Sequence, residues 1–299
     1  HRHSSAASDV YKRQGMDGLD IKVVTTFHNE GYELYGKRFL ESFAKNVDKR
    51  IKMFCFTENC DPVNPDPDQI TIESQEFVLP KLMSFKRKWR NEPKANGIPT
   101  DDIKARRPRD HHKKFKWDAI RFANKVYSVF AACERSKDWC VWMDADSYIH
   151  TPWSYDQFKS LLPDDKWITF VGRGKGSQTW PECGFYGLNL NDTICKDFLA
   201  EFERVYEDAE NGIFQLEEWH DSYVFGDILM KMREYHPEVL DYSKDIYVNT
   251  AKTGGGGHPL INSVLGNWID HMKGDRKNVG HSLQKDLMQS RNEKYWNEI

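Results

Sequence analysis

Trp139-Cys140-Val141-Trp142-Met143-Asp144-Ala145-Asp146-Ser147-Tyr148-Ile149 is the stretch that decides the fold. Cys140 to Met143 is apolar at every position, the pattern of a short strand buried on both faces of a parallel or mixed sheet. Asp144 and Asp146 follow where that strand leaves the sheet, with one residue between them to aim the two carboxylates. Hard oxygen ligands so placed suit Mg²⁺ or Mn²⁺, either of which keeps open positions for phosphate oxygens. An isolated pair of this kind is as often two solvated aspartates in a loop, so the surrounding chain has to decide.

Upstream, Ile21 to Phe27 is β-branched and apolar and predicts a buried strand, closed by the loop His28-Asn29-Glu30-Gly31. Leu34, Phe39, Leu40 and Phe43 fall at helical spacing. Ile51 to Thr57 predicts a second strand and Ile70 to Ile72 a short third. Lys81 to Lys116 breaks this rhythm. It holds thirteen Lys or Arg against four acids, which predicts either a solvated basic loop or a surface for an anionic partner. A helix is predicted from Phe115, with Ala119, Phe122, Ala123, Val126, Val129, Phe130 and Cys133 on one stripe.

Downstream, Lys166 to Val171 predicts a strand, and Gly172 to Gly176 a basic loop that lacks P-loop spacing. Glu182 to Leu190 predicts a strand with glycines where something packs close. Asp192 is placed to cap a helix running to about Asp208. Glu217 to Phe225 opens another helix, and 246–249 reads as a late strand before the glycine hinge at 254–257. The pattern is that of a single-domain α/β fold: a mixed, mostly parallel central sheet flanked by helices, spanning 16–279, with 280–299 as a polar helical tail. Residues 1–15 carry no pattern tied to the rest and read as a non-native leader or disordered tail.

Of 299 residues, 30% are charged, yet the net charge is only −3. That argues against a globally basic nucleic-acid binder. The six cysteines form no C-x-x-C pair and no zinc-like spacing with histidine, as in a reducing, cytoplasmic setting. No stretch is long and apolar enough to span a membrane.

Three motifs in fixed order resemble the GT-A class of nucleotide-sugar glycosyltransferases, a Rossmann-like fold. They are the D-x-D (Asp144, Asp146), the Gly-containing strand ending in Asn (Gly184 to Asn189), and a late H-x-x-G-x-x-K (His271, Gly274, Lys277). The last is most similar to the retaining glycosyltransferase family 8. The resemblance implies a Mn²⁺ or Mg²⁺ ion on Asp144, Asp146 and His271, the imidazole favouring Mn²⁺. It implies a UDP-linked donor whose diphosphate meets Lys277, Lys273 and the backbone at Gly274, with Asp144 also touching the ribose. Thr25, Phe27 and Asn29 lie where base and ribose contacts are expected. Lys114, Lys116 and Arg121 stand where a basic helix start could face the diphosphate, or be merely solvated. Trp180, Glu182 and Gly184 are expected on the side of a carbohydrate or protein acceptor, although Trp180 could equally be core.

Two departures from family 8 matter. Asn278-Val279 stands where Pro-Trp follows the lysine, and Glu217-Glu218-Trp219-His220-Asp221 replaces a D-Q-D cluster. Asp221 is the first choice for the catalytic carboxylate and Glu218 the second. The residue chosen would be a general base in an inverting enzyme, or would stabilise an oxocarbenium-like transition state in a retaining one. Two rival readings remain: a haloacid-dehalogenase-like phosphatase using Asp144 as nucleophile, and a non-catalytic binder that has kept the GT-A shape.

Overall fold

The central strand is the one quoted above. In a computed structural model that describes residues 18–175, 180–246 and 257–299, β4 (Trp139–Met143) is the fourth of seven strands. The others in this sheet are β1 (Ile21–His28), β2 (Lys52–Glu58), β3 (Ile70–Ser74), β6 (Ile168–Val171), β7 (Glu182–Asn189) and β8 (Val239–Asp241), in the order β3-β2-β1-β4-β7-β6-β8. β7 runs antiparallel to both its neighbours, and every other pairing is parallel. This is the mostly parallel mixed sheet of an α/β, Rossmann-like domain. A second, two-stranded antiparallel ladder joins β5 (Ser147–Ile149) to β9 (Ile269–His271).

Strand period 2 sorts the apolar residues onto two faces. Cys140 and Trp142 enter one core with Val24, Phe54 and Tyr186. Trp139, Val141 and Met143 enter the other with Val23, Met53 and Phe185. All five β4 residues are buried, which is why that strand shows no polar alternation. Helix α1 (Lys37–Asn46) covers the second face through Phe39, Leu40 and Phe43. The first face is covered by α2 (Pro80–Trp89), α3 (Ala119–Glu134), α4 (Thr193–Glu207) and α5 (Asp221–Arg233). Each large side chain buried this way contributes about 1.5–3 kcal/mol.

Several local expectations are revised. The basic stretch is not a loop throughout: α2 begins at Pro80 and buries Leu82, Phe85 and Trp89 on one face. Lysines at neighbouring positions obscure that periodicity. Phe115 does not start a long helix. It sits in the short turn Lys114–Trp117 and is 44% exposed, and α3 begins only after Asp118, whose side chain accepts from the Arg121 N–H. Leu34 is exposed because Tyr32–Gly36 is a π-helical turn, which adds a residue and rotates the face. The strand that closes the sheet is β8; most of the 246–249 strand lies outside the described residues. So do the 1–15 leader and most of the glycine hinge at 254–257.

The segment 280–299 is helical only over Gln284–Asp286 and Lys294–Glu298. It packs Trp296 into the core, and the Trp296 indole N–H donates to the Gly266 carbonyl at 2.7 Å. Among the described residues, all six cysteines are free thiols and no helix is long and apolar enough to cross a membrane.

Candidate metal centre

In a parallel sheet, ligands gather beyond the carboxyl ends of the strands. β4 ends there at Met143, and the next amide, of Asp144, donates to the Gly184 carbonyl on β7 at 2.9 Å. The chain then turns into β5, where Ser147 stands opposite His271 of β9. The Met272 amide donates to the Asp146 carbonyl at 2.9 Å, extending this ladder. A short antiparallel pairing thus holds the late histidine against the acidic turn. Asp270, wholly buried, fixes β9 from the other side by accepting from the Ser282 amide at 2.9 Å and the Tyr295 hydroxyl at 2.6 Å.

The His271 Nε2 lies 3.3 Å from Asp144 Oδ2 and 3.1 Å from Asp146 Oδ1. The three side chains form a group that could hold a metal ion. Donors bound cis to one cation at about 2.1 Å sit roughly 3 Å apart, so this set has room for one. Asp146 Oδ1 is buried and makes no aligned hydrogen bond among the described residues. Its close neighbour is the His271 ring nitrogen, 3.1 Å away, and a cation seated between the two would satisfy both atoms better than this misaligned contact does. Gly184 lies under the imidazole: a Cβ there would come within 2.7 Å of His271 Cε1.

Charge is balanced without a metal. Burial opposes a charged imidazole at His271, but Asp146 and Asp144 override it and push the pKa up to about 10. Burial likewise opposes charging Asp144, yet Lys125 and His271 bring its pKa down to about 2. Asp144 is therefore ionised, and a bound cation would take the place of the imidazolium proton.

Lys125 is the residue that sequence reasoning missed. Its Nζ lies 3.2 Å from Asp144 Oδ1 and 2.6 Å from Asp221 Oδ2, and it donates to the Cys183 carbonyl. The Trp142 indole N–H also donates to Asp144 Oδ1, at 2.7 Å. One signal was present: Lys125 follows Phe122 by three and precedes Val129 by four, on the apolar face of a helix. Tyr35 is the second omission. Burial, Asp146 and Asp144 raise its hydroxyl to about 12, and nothing in its local sequence marks it.

Other expected residues divide. Lys277 Nζ is 3.4 Å from Asp146 Oδ2, at the centre. Gly274 has φ +55 with open space beside its Cα, so a left-handed turn is what calls for glycine. Lys273 is held by Glu182 at 2.5 Å, and Arg173 reaches the same carboxylate at 3.3 Å. Those cations, with His271, keep the Glu182 pKa well below the usual range despite burial. Asp221 joins the centre through Lys125. Asn29 and Arg121 are exposed, and Arg121 is close enough to Tyr35 to bias its ionisation.

Four expectations are corrected. Thr25 is wholly buried in mid-strand, and Phe27 is core, stacked on Tyr32 with centroids 5.7 Å apart; neither side chain is open to a nucleotide. Glu218 is buried and clamped by His220 at 2.8 Å, Arg107 at 2.9 Å and Lys116 at 3.6 Å. It is an internal counterion with no free oxygen for catalysis. Lys116 is in turn committed to Asp110 at 3.1 Å and Glu218, not to an open phosphate site. Lys114 is exposed, its stem lying over Gly97. Trp180 is half-buried in a ring cluster described below.

The sheet, its flanking helices and the buried Asp-Asp-His group are together compatible with the GT-A class. No family model matches the chain, and no curated protein matches it.

Proposed function

We propose that this chain is a metal-dependent transferase of the GT-A class. Within that class, it moves a sugar from a nucleoside diphosphate donor, UDP-linked, to a carbohydrate or protein acceptor, with the late H-x-x-G-x-x-K pointing to the retaining group. One observation carries the reading: Asp144, Asp146 and His271 converge from distant parts of the chain at the carboxyl end of the central strand.

A divalent ion, Mn²⁺ or Mg²⁺, held by those three residues would supply Lewis-acid neutralisation of a diphosphate leaving group. Lys277, half-buried beside Asp146, adds a point charge for a phosphate oxygen. Lys125 and the Trp142 indole fix Asp144 so that its second oxygen faces the histidine. Lys125 also pairs with Asp221, which in this reading is the carboxylate that acts on the reacting carbon or the acceptor hydroxyl. The π-helical turn brings Tyr35 to the rim, where its hydroxyl stays neutral and can donate to an anion.

The phosphatase reading has less support. In that class the nucleophilic aspartate usually follows the first strand of the domain, whereas Asp144 follows β4, with three sheet strands earlier in the chain. A panel of nucleotide sugars with Mn²⁺, assayed for nucleoside diphosphate release, tests the transferase reading. Release by the wild type and its loss in Asp146→Asn are expected. Equal release by Asp146→Asn, or phosphate release through a trapped phosphoaspartate on Asp144, would overturn it.

A further inference from the structure

Between 104 and 116 the chain carries seven Lys or Arg and a single acid, Asp110. Six of these cations fall into two sets. Arg107 and Lys116 turn inward onto Asp110 and the buried Glu218, and Arg106 bonds Glu217 at 2.7 Å. Arg109, Lys113 and Lys114 turn outward. All three are exposed, and among the described residues none has a carboxylate within ion-pair distance. The inner acids are thus spent on inner cations, and the outer set stands uncompensated, repelling itself until an anion arrives.

This segment is fastened beside the candidate centre. The Trp219 amide donates to the Lys116 carbonyl at 2.7 Å, and the Trp117 indole N–H to the Glu217 carbonyl at 3.1 Å. That strip ends at Asp221, which Lys125 ties to Asp144. Rings gather on the same strip around His220: Phe115 at 5.6 Å, Trp180 at 5.4 Å and Tyr223 at 6.2 Å, tilted 52°, 65° and 66° to it. Lys116 Nζ lies 5.8 Å over the Trp180 ring.

We propose that this face binds an anionic glycan, one bearing carboxylate or phosphate groups, as the acceptor; only its role as acceptor rests on the transferase reading. The outer cations supply the charge recognition. The rings supply apolar surface for the C–H faces of sugars. A nucleic-acid strand stacks on a succession of platforms, whereas these rings meet at steep angles and form a curved wall. The chain as a whole carries a net charge of −3, so attraction of an anionic chain here rests on these local cations and not on the protein's overall charge.

Binding needs no turnover, so it is tested apart from activity. Titration calorimetry on the full chain would use an oligogalacturonate for the carboxylate arm and a phosphomannan oligosaccharide for the phosphate arm. A neutral dextran oligosaccharide and a single-stranded oligonucleotide are the comparators. Binding in at least one anionic arm, weakened by salt, and none to dextran is expected. Arg109→Glu with Lys113→Glu should weaken it by about tenfold or more and flatten the salt dependence, while Mn²⁺ affinity stays unchanged. Phe115→Ala should weaken it without altering the salt dependence. No binding in either arm, equal binding by the charge-reversed protein, or tighter binding of the oligonucleotide would overturn the proposal. Glycan binding without any nucleoside diphosphate release would sink the transferase reading and leave the surface standing.

Discussion

Gly184→Ala perturbs the proposed metal centre without touching a ligand. The new Cβ would lie 2.7 Å from His271 Cε1 and 3.1 Å from both His271 Nδ1 and Leu260 Cδ1. Restoring ordinary van der Waals contact requires the imidazole to retreat by roughly 0.7–1 Å, because Leu260 blocks escape on its own side. Metal–ligand distances tolerate only about 0.2 Å, so the nitrogen would leave the coordination sphere. Losing the support of one ligand costs about 10- to 100-fold in metal affinity. Overpacking itself costs about 1–3 kcal/mol, which a domain of this size should survive. Calorimetric titration with Mn²⁺ reads the affinity, and thermal unfolding gives a second readout. Saturating the wild type at about 100 times Kd should add about 2.7 kcal/mol, or roughly 4–5 °C in Tm. Folded Gly184→Ala should lose about half to five-sixths of that gain at the same Mn²⁺ concentration. If it binds Mn²⁺ within about twofold of the wild type, His271 is not a ligand.

Lys125→Met leaves buried Asp221 and partly buried Asp144 without their shared cation; a loss of about 2–4 kcal/mol is expected, read as a lower urea midpoint. Added Mn²⁺ should recover part of the loss, since it restores positive charge beside Asp144. Glu218→Gln weakens the clamp on Arg107, Lys116 and His220 and should lower stability, yet leave Mn²⁺ affinity unchanged; a large loss of metal affinity would return Glu218 to the centre. His150 gives a pH test. Burial depresses its pKa from 6.5 to about 4, its Nε2–H donating to Gly266 O at 3.1 Å while Nδ1 accepts from the Thr151 hydroxyl at 2.7 Å. The unfolded chain therefore takes up the proton first. Stability is full above about pH 6.5 and falls as pH drops toward 4, by on the order of 3 kcal/mol. Burial likewise lowers His258 to about 4, so His150→Gln should reduce that slope rather than abolish it in urea titrations at pH 7.5, 5.5 and 4.5, and an unchanged slope would refute the assignment.

The sheet was legible because its strands are buried on both faces and so read as unbroken apolar runs. β4 with its acidic exit is the clearest case. Asp144, Asp146 and His271 were legible as residue types in a fixed order, and the β5–β9 ladder shows how the chain brings them together. Lys125 was obscured because helical periodicity counts apolar residues, and a lysine on that face looks like an interruption rather than a partner. Glu218 was misjudged because sequence shows that a carboxylate is present but not that Arg107, Lys116 and His220 surround it. Thr25 and Phe27 failed for a related reason: both lie within β1 rather than beyond its end, where their side chains are buried in the packing of the sheet. The basic stretch hid α2 because its lysines lie beside Leu82, Phe85 and Trp89.

Pulsed electron paramagnetic resonance on protein loaded with one equivalent of Mn²⁺ asks most directly whether the acidic turn and the late histidine share an ion. A nitrogen hyperfine coupling from a single imidazole should be present in the wild type and absent in His271→Ala, with Asp146→Asn no longer retaining the ion at that concentration. A wild-type spectrum like that of Mn²⁺ in buffer, or a nitrogen coupling that survives His271→Ala, would contradict the metal centre and the function built upon it.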